Sequence, residues 1–419
     1  MNLKILYITL GILSTELLAA QNQTMEMSLE QVVKIARLES PDARTARHSF
    51  RSAYWNYKYY RANYLPSLSL SSDPNLNRAI NKITMGDGSV KFVEQNLLNT
   101  DLTLNLSQNI PWTGGSLFLE TSAQRMDLSS EHKYSCQTSP IMIGYRQSLF
   151  GYNSLKWDKR IEPVRYQEAK KSYVETLELV SANAINKFFA LATAQSNYDI
   201  ASFNYANADT LYRYAQGRYN IGTITENEML QLELNRLTEE TNRMNARIEM
   251  DNCMQELRSY LGIQEEREIR VRVSSRIPDF SINLNEALAL AYENSPDIQT
   301  MKRRKLESES AVARARANAG LKADIYLRFG LTQTADKLPE AYRNLLDQQY
   351  VSLSISLPIL DWGRGKGQVR VARSNRDLVY TQVEQNRTDF ELNVRKLVKQ
   401  FNLQTQRVRI AARTDETAQ

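Results

Sequence analysis

Helix-breaking residues are scarce in this sequence, whose 419 residues include only 15 Gly and 10 Pro. This composition argues against a loop-rich enzyme and favours long uninterrupted elements. Histidine is scarcer still, because His48, in a predicted helix, and His132, in a predicted loop, are the only two. A histidine triad or metal cluster therefore has little material. We predict no catalytic residue, no metal and no cofactor.

Long apolar runs are also absent beyond the N-terminus, where no stretch approaches the roughly 20 apolar residues that a membrane-spanning helix needs. If the mature chain enters a membrane, it must do so as a closed β-barrel, whose strands pair all their backbone groups. Residues 1–20 differ, because Lys4 precedes an apolar run at 5–13 and the small residues Ala19 and Ala20 follow. This pattern predicts a secretory signal peptide.

Cysteine and net charge are both low. Cys136 lies in a predicted loop and Cys253 in a predicted helix, and either one disulfide or two partly buried thiols would be compatible with an oxidising compartment. The net charge is only +6, with basic and acidic residues interleaved. Such interleaving is typical of a solvated coiled-coil surface and argues against a nucleic-acid groove.

The sequence does contain an internal repeat, which is visible when it is shifted by 255 positions, from 40 to 295. The tripeptide Ser-Pro-Asp at 40–42 then aligns with the same tripeptide at 295–297. In each copy a short amphipathic helix precedes this tripeptide. Because Ser caps helices and Pro fits their first turn, we predict second helices at about 42–64 and 297–319.

Segments in which apolar residues alternate with polar ones follow these helices and predict strands. The predicted strands lie at 68–70, 102–106, 117–121, 139–150, 325–331 and 349–358. Copy one contains the segments at 102–106 and 117–121 as an inserted hairpin that copy two lacks. After the closing strand of each copy, a very long helix is predicted.

The first long helix is predicted at 153–219, which at 1.5 Å per residue gives about 100 Å. Its apolar residues Leu177, Ala184, Leu191 and Tyr198 recur at sevens, with Val180 and Phe188 between them. A return helix follows to about Leu261. Its seven-step rows are Leu230, Leu237 and Met244, and Leu234, Thr241 and Ile248. Helices of this length require coiled-coil partners.

The domain organisation follows from the repeat. After the signal peptide, residues 21–262 form the first copy, with strands within 66–150 and a helical hairpin at 153–262. A linker at 263–281 joins it to the second copy, 282–419. At a shift of 210 positions, from Asp209 to Gln419, the second copy is expected to stop before its own hairpin turn.

Two segments have competing interpretations. The glycine-rich segment 363–367 lacks the Ser or Thr that a phosphate-binding loop places after Lys366, so a helix start after a strand is expected. Tyr57, Tyr60 and Tyr64 share one face of a predicted helix. They suit either an interfacial aromatic belt or packing between helices, and packing is favoured.

Several short motifs, together with the order and duplication of the elements, carry a resemblance to a known family. The motifs are the paired Ser-Pro-Asp helix starts, Leu65-Pro66, Leu149-Phe150-Gly151, Gly222-Thr223-Ile224-Thr225 and Leu357-Pro358-Ile359-Leu360-Asp361-Trp362-Gly363. On these residues, nearly all of the mature chain resembles the TolC family of outer-membrane efflux proteins.

The resemblance implies a mainly α fold with β-strands, in which long helical hairpins adjoin a barrel. It implies a homotrimer in the outer membrane, with four strands from each subunit in a twelve-stranded barrel and a helical tunnel in the periplasm. The hairpin tip, Gly222–Thr225, would dock onto a periplasmic adaptor (membrane fusion) protein joined to an inner-membrane pump. Leu149, Phe150 and Gly151, and Pro358, Asp361, Trp362 and Gly363, would form the strand–helix junctions.

The acids beside the tip have two interpretations. Glu226 and Glu228 could pair with a basic adaptor or line the mouth, but acids that favour a helix N-terminus are the more expected reading. The leading functional prediction is a passive conduit in a tripartite efflux system, and an enzyme is the remotest alternative. A type I secretion duct has the same architecture. A periplasmic coiled-coil adaptor or structural protein is the alternative from another class, but it would have one helical hairpin rather than two copies.

Overall fold

A computed structural model describes residues 25–129, 133–265, 267–273 and 280–418. The predicted signal peptide at 1–20 and the loop residue His132 lie outside these described residues. Among the described helices, none combines the length and the apolarity needed to cross a bilayer.

The described chain contains long helices and one large sheet. The helices are α1 (Leu29–Glu39), α2 (Pro41–Ala62), α3 (Ser154–Asn220), α4 (Glu226–Leu261), α5 (Leu284–Asn294), α6 (Pro296–Ala319) and α7 (Arg364–Ala418). The strands are β1 (Met25–Ser28), β2 (Ser67–Ser71), β3 (Asn75–Thr84), β4 (Val90–Ile110), β5 (Gly115–Leu128), β6 (Lys133–Ser148), β7 (Ile269–Arg272), β8 (Lys322–Ala335) and β9 (Leu346–Ser356).

The chain forms two compact units. Among the described residues, the first unit lies within 25–52, 170–286 and 398–418, and the second lies within 53–169 and 287–397. Both units draw segments from both predicted sequence repeats. The division into repeats therefore stays a prediction about the sequence, separate from these structural units.

In the first unit, the predicted seven-residue row of α3 forms the core. Val180, Ala184, Phe188 and Leu191 are fully buried there, and Leu177 and Tyr198 pack against them. Residues from β1, α1, α4 and β7 complete this core, which includes Met27, Val32, Ala36, Leu257, Leu261 and Ile269. The spacing of apolar residues in α3 therefore predicted the buried side correctly.

The two predicted apolar rows of α4, unlike the row of α3, are not buried within the chain. Leu230, Leu234 and Leu237 are exposed, as are Met244 and Ile248. Polar side chains of α4 contact α3 instead: the guanidinium groups of Arg236 and Arg243 lie 5.5 Å and 4.1 Å from the ring centroids of Tyr212 and Tyr205. Apolar residues spaced seven positions apart indicate that one side of a helix is covered, but they do not identify the partner that covers it.

The Ser-Pro helix starts have the predicted geometry in both repeats. The Ser40 hydroxyl accepts a hydrogen bond from the Ala43 backbone N–H at 3.1 Å. The Ser295 hydroxyl accepts one from the Asp297 N–H in the same way, also at 3.1 Å. Each serine satisfies a backbone donor that the first turn of a helix leaves without a partner.

A parallel ladder between β1 and β7 was not predicted. It pairs Met25–Ser28 with Ile269–Arg272, so the predicted linker at 263–281 contains a strand. Both strands have only four residues, which is too short for a clear alternating pattern.

The second unit contains a seven-stranded antiparallel sheet with the order β2-β4-β5-β6-β8-β9, and β3 also pairs with β4. The predicted hairpin of copy one is confirmed as β4 and β5, and β3 is an additional strand. The sheet thus has more strands than the four per subunit that the resemblance implies. Cys136, predicted in a loop, is buried in β6. Both Cys136 and Cys253 are free thiols.

The tyrosines of α2 pack between helices within the second unit, as the favoured interpretation predicted. The rings of Tyr57 and Tyr166 stack with centroids 4.5 Å apart and planes 5° from parallel. The Tyr64 hydroxyl donates a hydrogen bond to the Leu155 carbonyl at 2.8 Å. These contacts hold the end of α2 and the loop after it against the first turns of α3.

Candidate functional site

The two faces of the large sheet differ sharply in polarity. Side chains alternate between the faces of a strand, and the strand register aligns apolar residues on one face from β2 to β9. The exposed members of this apolar face are Leu68, Leu70, Leu102, Leu104, Leu106, Leu117, Leu119, Ile141, Ile143, Phe329, Val351, Leu353 and Ile355. A continuous exposed apolar surface of this kind marks a contact with another molecule or with a membrane.

The opposite face of the same strands is polar. Its members include Ser67, Ser69, Thr103, Asn105, Ser107, Glu120, Arg146, Tyr326, Arg328, Gln348, Tyr350, Ser352 and Ser354. Several are joined across strands, as in the hydrogen bond of 2.8 Å between the hydroxyls of Ser67 and Ser107. The sheet therefore separates an apolar surface from a surface that suits water.

Both ends of the sheet are open within this chain. Among the described residues, β2 and β3 pair only with β4, so their outer edges are open at one end of the sheet. At the other end, β9 pairs only with β8. Unpaired strand edges present rows of free N–H and C=O groups. A second chain that paired with these edges would satisfy those groups.

The strand–helix junctions lie where the sequence places them. The Leu149 N–H donates a hydrogen bond to the Ala323 carbonyl at 2.8 Å, which prolongs the pairing of β6 and β8. Phe150 is exposed and Gly151 follows it, ahead of α3. A Cβ on Gly151 would collide with the Ser148 side chain, so only glycine fits this turn.

The second junction is organised around Asp361. Its carboxylate accepts hydrogen bonds from the Gly363 and Gly365 N–H groups at 2.9 Å and 2.8 Å, which caps α7. These two backbone hydrogen bonds lower the pKa of Asp361. Trp362 and Gly363 both have left-handed backbone conformations, with φ of 54° and 83°. Pro358 and Trp362 are exposed. The glycine-rich segment is thus a helix start, as predicted.

The turn between α3 and α4 forms the tip of the helical hairpin. Gly222 has φ of 74°, and its N–H donates to the Tyr219 carbonyl at 2.9 Å. The N–H and hydroxyl of Thr223 both donate to the Arg218 carbonyl, each at 2.9 Å. This arrangement satisfies the last carbonyls of α3 and reverses the chain direction. Ile224 is half-buried.

The acids at the tip lie in the first turn of α4. The Thr225 hydroxyl accepts a hydrogen bond from the Glu228 N–H, and the Glu228 carboxylate accepts one from the Thr225 N–H, a reciprocal capping box. The hydrogen bond from the Thr225 backbone is the main cause of the lowered pKa of Glu228. Glu226 is exposed in the first turn of α4. Ile221, which the sequence did not single out, is 74% exposed beside them.

A charged cluster between α3 and α6 of the second unit was also not predicted. Arg303 donates from Nε and Nη2 to the two oxygens of Glu168, at 2.5 Å and 3.0 Å, and from Nη1 to Glu307 at 2.9 Å. The Thr300 hydroxyl donates to Glu168 at 2.9 Å. Burial raises the pKa of Glu168, but the hydrogen bonds from Arg303 and Thr300 outweigh it, and the pKa is lowered.

Known proteins resemble this chain in structure but not detectably in sequence. No protein-family model matches the sequence, and no curated protein sequence matches it. The CmeC outer membrane channel of Campylobacter jejuni is similar, with a TM-score of 0.61, 17% identity, and coverage of 86% of this chain and 68% of that one.

Two further outer-membrane proteins are similar. The outer-membrane channel OprN has a TM-score of 0.63 and 15% identity, over 93% of this chain and 77% of its own. The outer membrane protein VceC of Vibrio cholerae has a TM-score of 0.57 and 14% identity, over 85% of this chain and 75% of its own. Identities this low show a shared fold. This chain therefore has the fold of these outer-membrane proteins, which confirms the TolC-like fold that the sequence resemblance predicts.

Proposed function

We propose that this chain is a subunit of an outer-membrane channel, in which copies of the chain close their sheets into one barrel. The observation that carries the proposal is the sheet itself, which has one apolar and one polar face and two open edges. A membrane offers the cover that the apolar face needs, and a ring of copies pairs the open edges. The polar face then lines a water-filled passage.

The similar structures support this proposal, because they are described as outer-membrane channels. The exposed rows of α4 support it as well, since a neighbouring copy could cover them in a coiled-coil wall. We propose a homotrimer, as the family resemblance implies. A ring of copies would pair the outer strands β2 and β9 of neighbouring sheets.

The finer function we propose is a passive conduit in a tripartite efflux system. The tip at Gly222–Thr225 would dock onto a periplasmic adaptor that is joined to an inner-membrane pump. The exposed Ile221 and the turn at Gly222 support this, because they present an apolar side chain on a hydrogen-bonded turn at the end of the hairpin. Transport through such a conduit requires shape and a partner that supplies energy, and no reactive side chain.

Membrane fractionation and mass determination test the assembly. We expect the expressed chain in the outer-membrane fraction, and we expect the detergent-extracted complex to have the mass of three mature chains by native mass spectrometry. After reconstitution into a planar lipid bilayer, it should conduct ions. A soluble periplasmic chain, or a complex of one or two copies, would contradict the proposal.

Cysteine labelling tests the two faces of the sheet with a matched pair of neighbours. Ser352 and Leu353 are adjacent in β9 and lie on opposite faces. In a chain whose native Cys136 and Cys253 are replaced by alanine, we expect Ser352→Cys to react with a charged, membrane-impermeant maleimide. Leu353→Cys should resist it in the membrane and react fully after unfolding. Equal labelling of the two variants in the membrane would refute the assignment of the faces.

A further inference from the structure

The polar face of the sheet contains a cluster of aromatic rings and guanidinium groups whose role the proposed channel does not define. Phe118 of β5 and Tyr326 of β8 have centroids 5.9 Å apart and planes 22° from parallel. Tyr350 of β9 meets Tyr326 edge-on at 5.7 Å. The Arg146 guanidinium lies 5.4 Å from the centroid of the Tyr326 ring. Side chains from three other strands thus lie against the ring of Tyr326.

The backbone leaves room for this arrangement at Gly144. Gly144 of β6 lies opposite Phe118 in the register of β5 and β6. A Cβ on Gly144 would collide with the Phe118 ring, so the ring lies flat against the sheet at this position. An aromatic surface held flat in this way offers stacking contacts to a second planar group.

The two guanidinium groups of the cluster, those of Arg146 and Arg328, have few partners within the described part of the chain. Arg328 of β8 has one carboxylate partner, Glu120, at 3.4 Å, and its buried Nε has no hydrogen-bond partner among the described residues. Arg146 forms no ion pair with any residue in the described part of the chain, and Asp324, on the same face of β8, pairs with neither arginine there. An unpartnered buried N–H of a guanidinium group is a costly feature that a bound acceptor would relieve.

An open groove on the polar face adjoins three of these side chains, Tyr326, Arg328 and Tyr350. Its volume is about 470 Å³, and its lining residues are Tyr326, Arg328, Gln348, Tyr350 and Ser352. This volume lies within the range that small-molecule sites occupy. The lining combines ring faces, guanidinium donors and an amide, which together select for both shape and charge.

We propose that this aromatic–guanidinium cluster, Phe118, Arg146, Tyr326, Arg328 and Tyr350, is a binding site for planar aromatic carboxylates. The aromatic part of the ligand stacks on the rings, and the carboxylate accepts hydrogen bonds from the guanidinium groups. The inference rests on the proposed function in one respect, because a solute reaches the polar face through the water-filled passage. It then names a class of solute that the passage holds selectively.

Equilibrium binding of 2-naphthoate to the purified complex in detergent tests the site. We expect saturable binding to the wild type, and no saturable binding of 2-naphthylmethylammonium, which has the same ring system and the opposite charge. Arg146→Gln should weaken naphthoate binding about tenfold, the loss expected for one charge-assisted contact. Tyr326→Leu should weaken it by a similar factor because the stacking surface is lost.

The matched control is Lys322→Gln, which removes one positive charge from the same strand and the same face as Tyr326, outside the groove. It should leave the affinity unchanged. Equal binding of the cationic probe, or an unchanged affinity of Arg146→Gln, would overturn the inference; Arg146 is exposed, so its replacement should not prevent folding. A complex that conducts ions without binding naphthoate refutes this site alone. A chain that binds naphthoate but never conducts refutes the proposed function alone.

Discussion

The clamp between α3 and α6 allows a quantitative prediction about stability. Arg303 and Glu168 have side chains that are only 22% and 19% exposed, and their two hydrogen bonds form the parallel fork that arginine makes with carboxylates. Arg303→Met leaves the half-buried Glu168 carboxylate with the Thr300 hydroxyl as its remaining hydrogen-bond donor among the described residues. Loss of one partner of a buried pair costs about 3–5 kcal/mol. Because Thr300 remains and the site is partly hydrated, we expect about 2 kcal/mol.

Comparing Arg303→Lys with Arg303→Met separates the effect of the forked hydrogen bonds from the effect of the positive charge. Arg303→Lys retains the charge but cannot form both hydrogen bonds to Glu168 and the one to Glu307, so we expect a loss of about 1 kcal/mol. The control is Arg37→Lys, which changes an exposed pair with Glu178 and should cost less than about 0.5 kcal/mol. The assay is urea unfolding of the detergent-solubilised protein, followed by circular dichroism. Equal losses for the two lysine variants would contradict the argument.

The pH dependence of the stability difference between wild type and Arg303→Met tests whether charge causes the loss. Because the pKa of Glu168 is lowered in the folded protein, Glu168 contributes to the free energy of unfolding at pH values above its pKa in the unfolded chain, about 4.3. This contribution is lost as the pH falls through the lower folded value. In Arg303→Met the fork is gone, so burial, the largest influence on Glu168, is opposed less and the pKa of Glu168 should lie higher than in the wild type. The difference between wild type and variant should therefore be largest near neutral pH and shrink below about pH 4. A difference that stays constant with pH would show that packing, and not charge, causes the loss.

Three further substitutions test the core, the outer face of α4 and the tip. Leu191→Ala removes a fully buried side chain of α3 and should lower the unfolding free energy by about 3 kcal/mol in the same urea assay. Leu234→Ala changes a side chain that is 66% exposed in one chain. It should weaken the association of copies, measured by native mass spectrometry, while unfolding of the single chain is unchanged. Gly222→Val forces a β-branched residue to φ of 74° and should cost about 1–2 kcal/mol, whereas Gly222→Asn should cost less.

The helices and their ends could be predicted closely from the sequence because the signals are local. The long helix expected at 153–219 is α3, Ser154–Asn220, and the serine and threonine caps are formed by residues three or fewer positions apart. Apolar spacing along one helix also identified the core positions of α3. In each case the residues that make the contact are neighbours on a single element, so a pattern along the chain contains the answer.

Pairings between distant segments could not be predicted in this way. Arg303 and Glu168 lie 135 positions apart, and the cluster around Tyr326 depends on the register of four strands. The strand β3 escaped notice because Arg78 and Lys82 lie on the same face as Leu76 and Ile80, which breaks the alternation of apolar and polar residues. Neither a charge pair across two helices nor a ring cluster across strands leaves a periodic signature.

The two sets of exposed apolar residues have one physical cause. The apolar face of the sheet and the rows of α4 are as regular as the buried row of α3, yet one chain leaves them uncovered. Regular apolar spacing indicates that a side of an element is covered in the functional protein. It does not show whether the cover is another part of the same chain, a second copy or a membrane. A regular apolar row that stays exposed in the single chain therefore supports the proposed assembly. If Leu234→Ala were neutral in the complex, that inference would fail for α4, and the argument for a wall of neighbouring helices would lose its support.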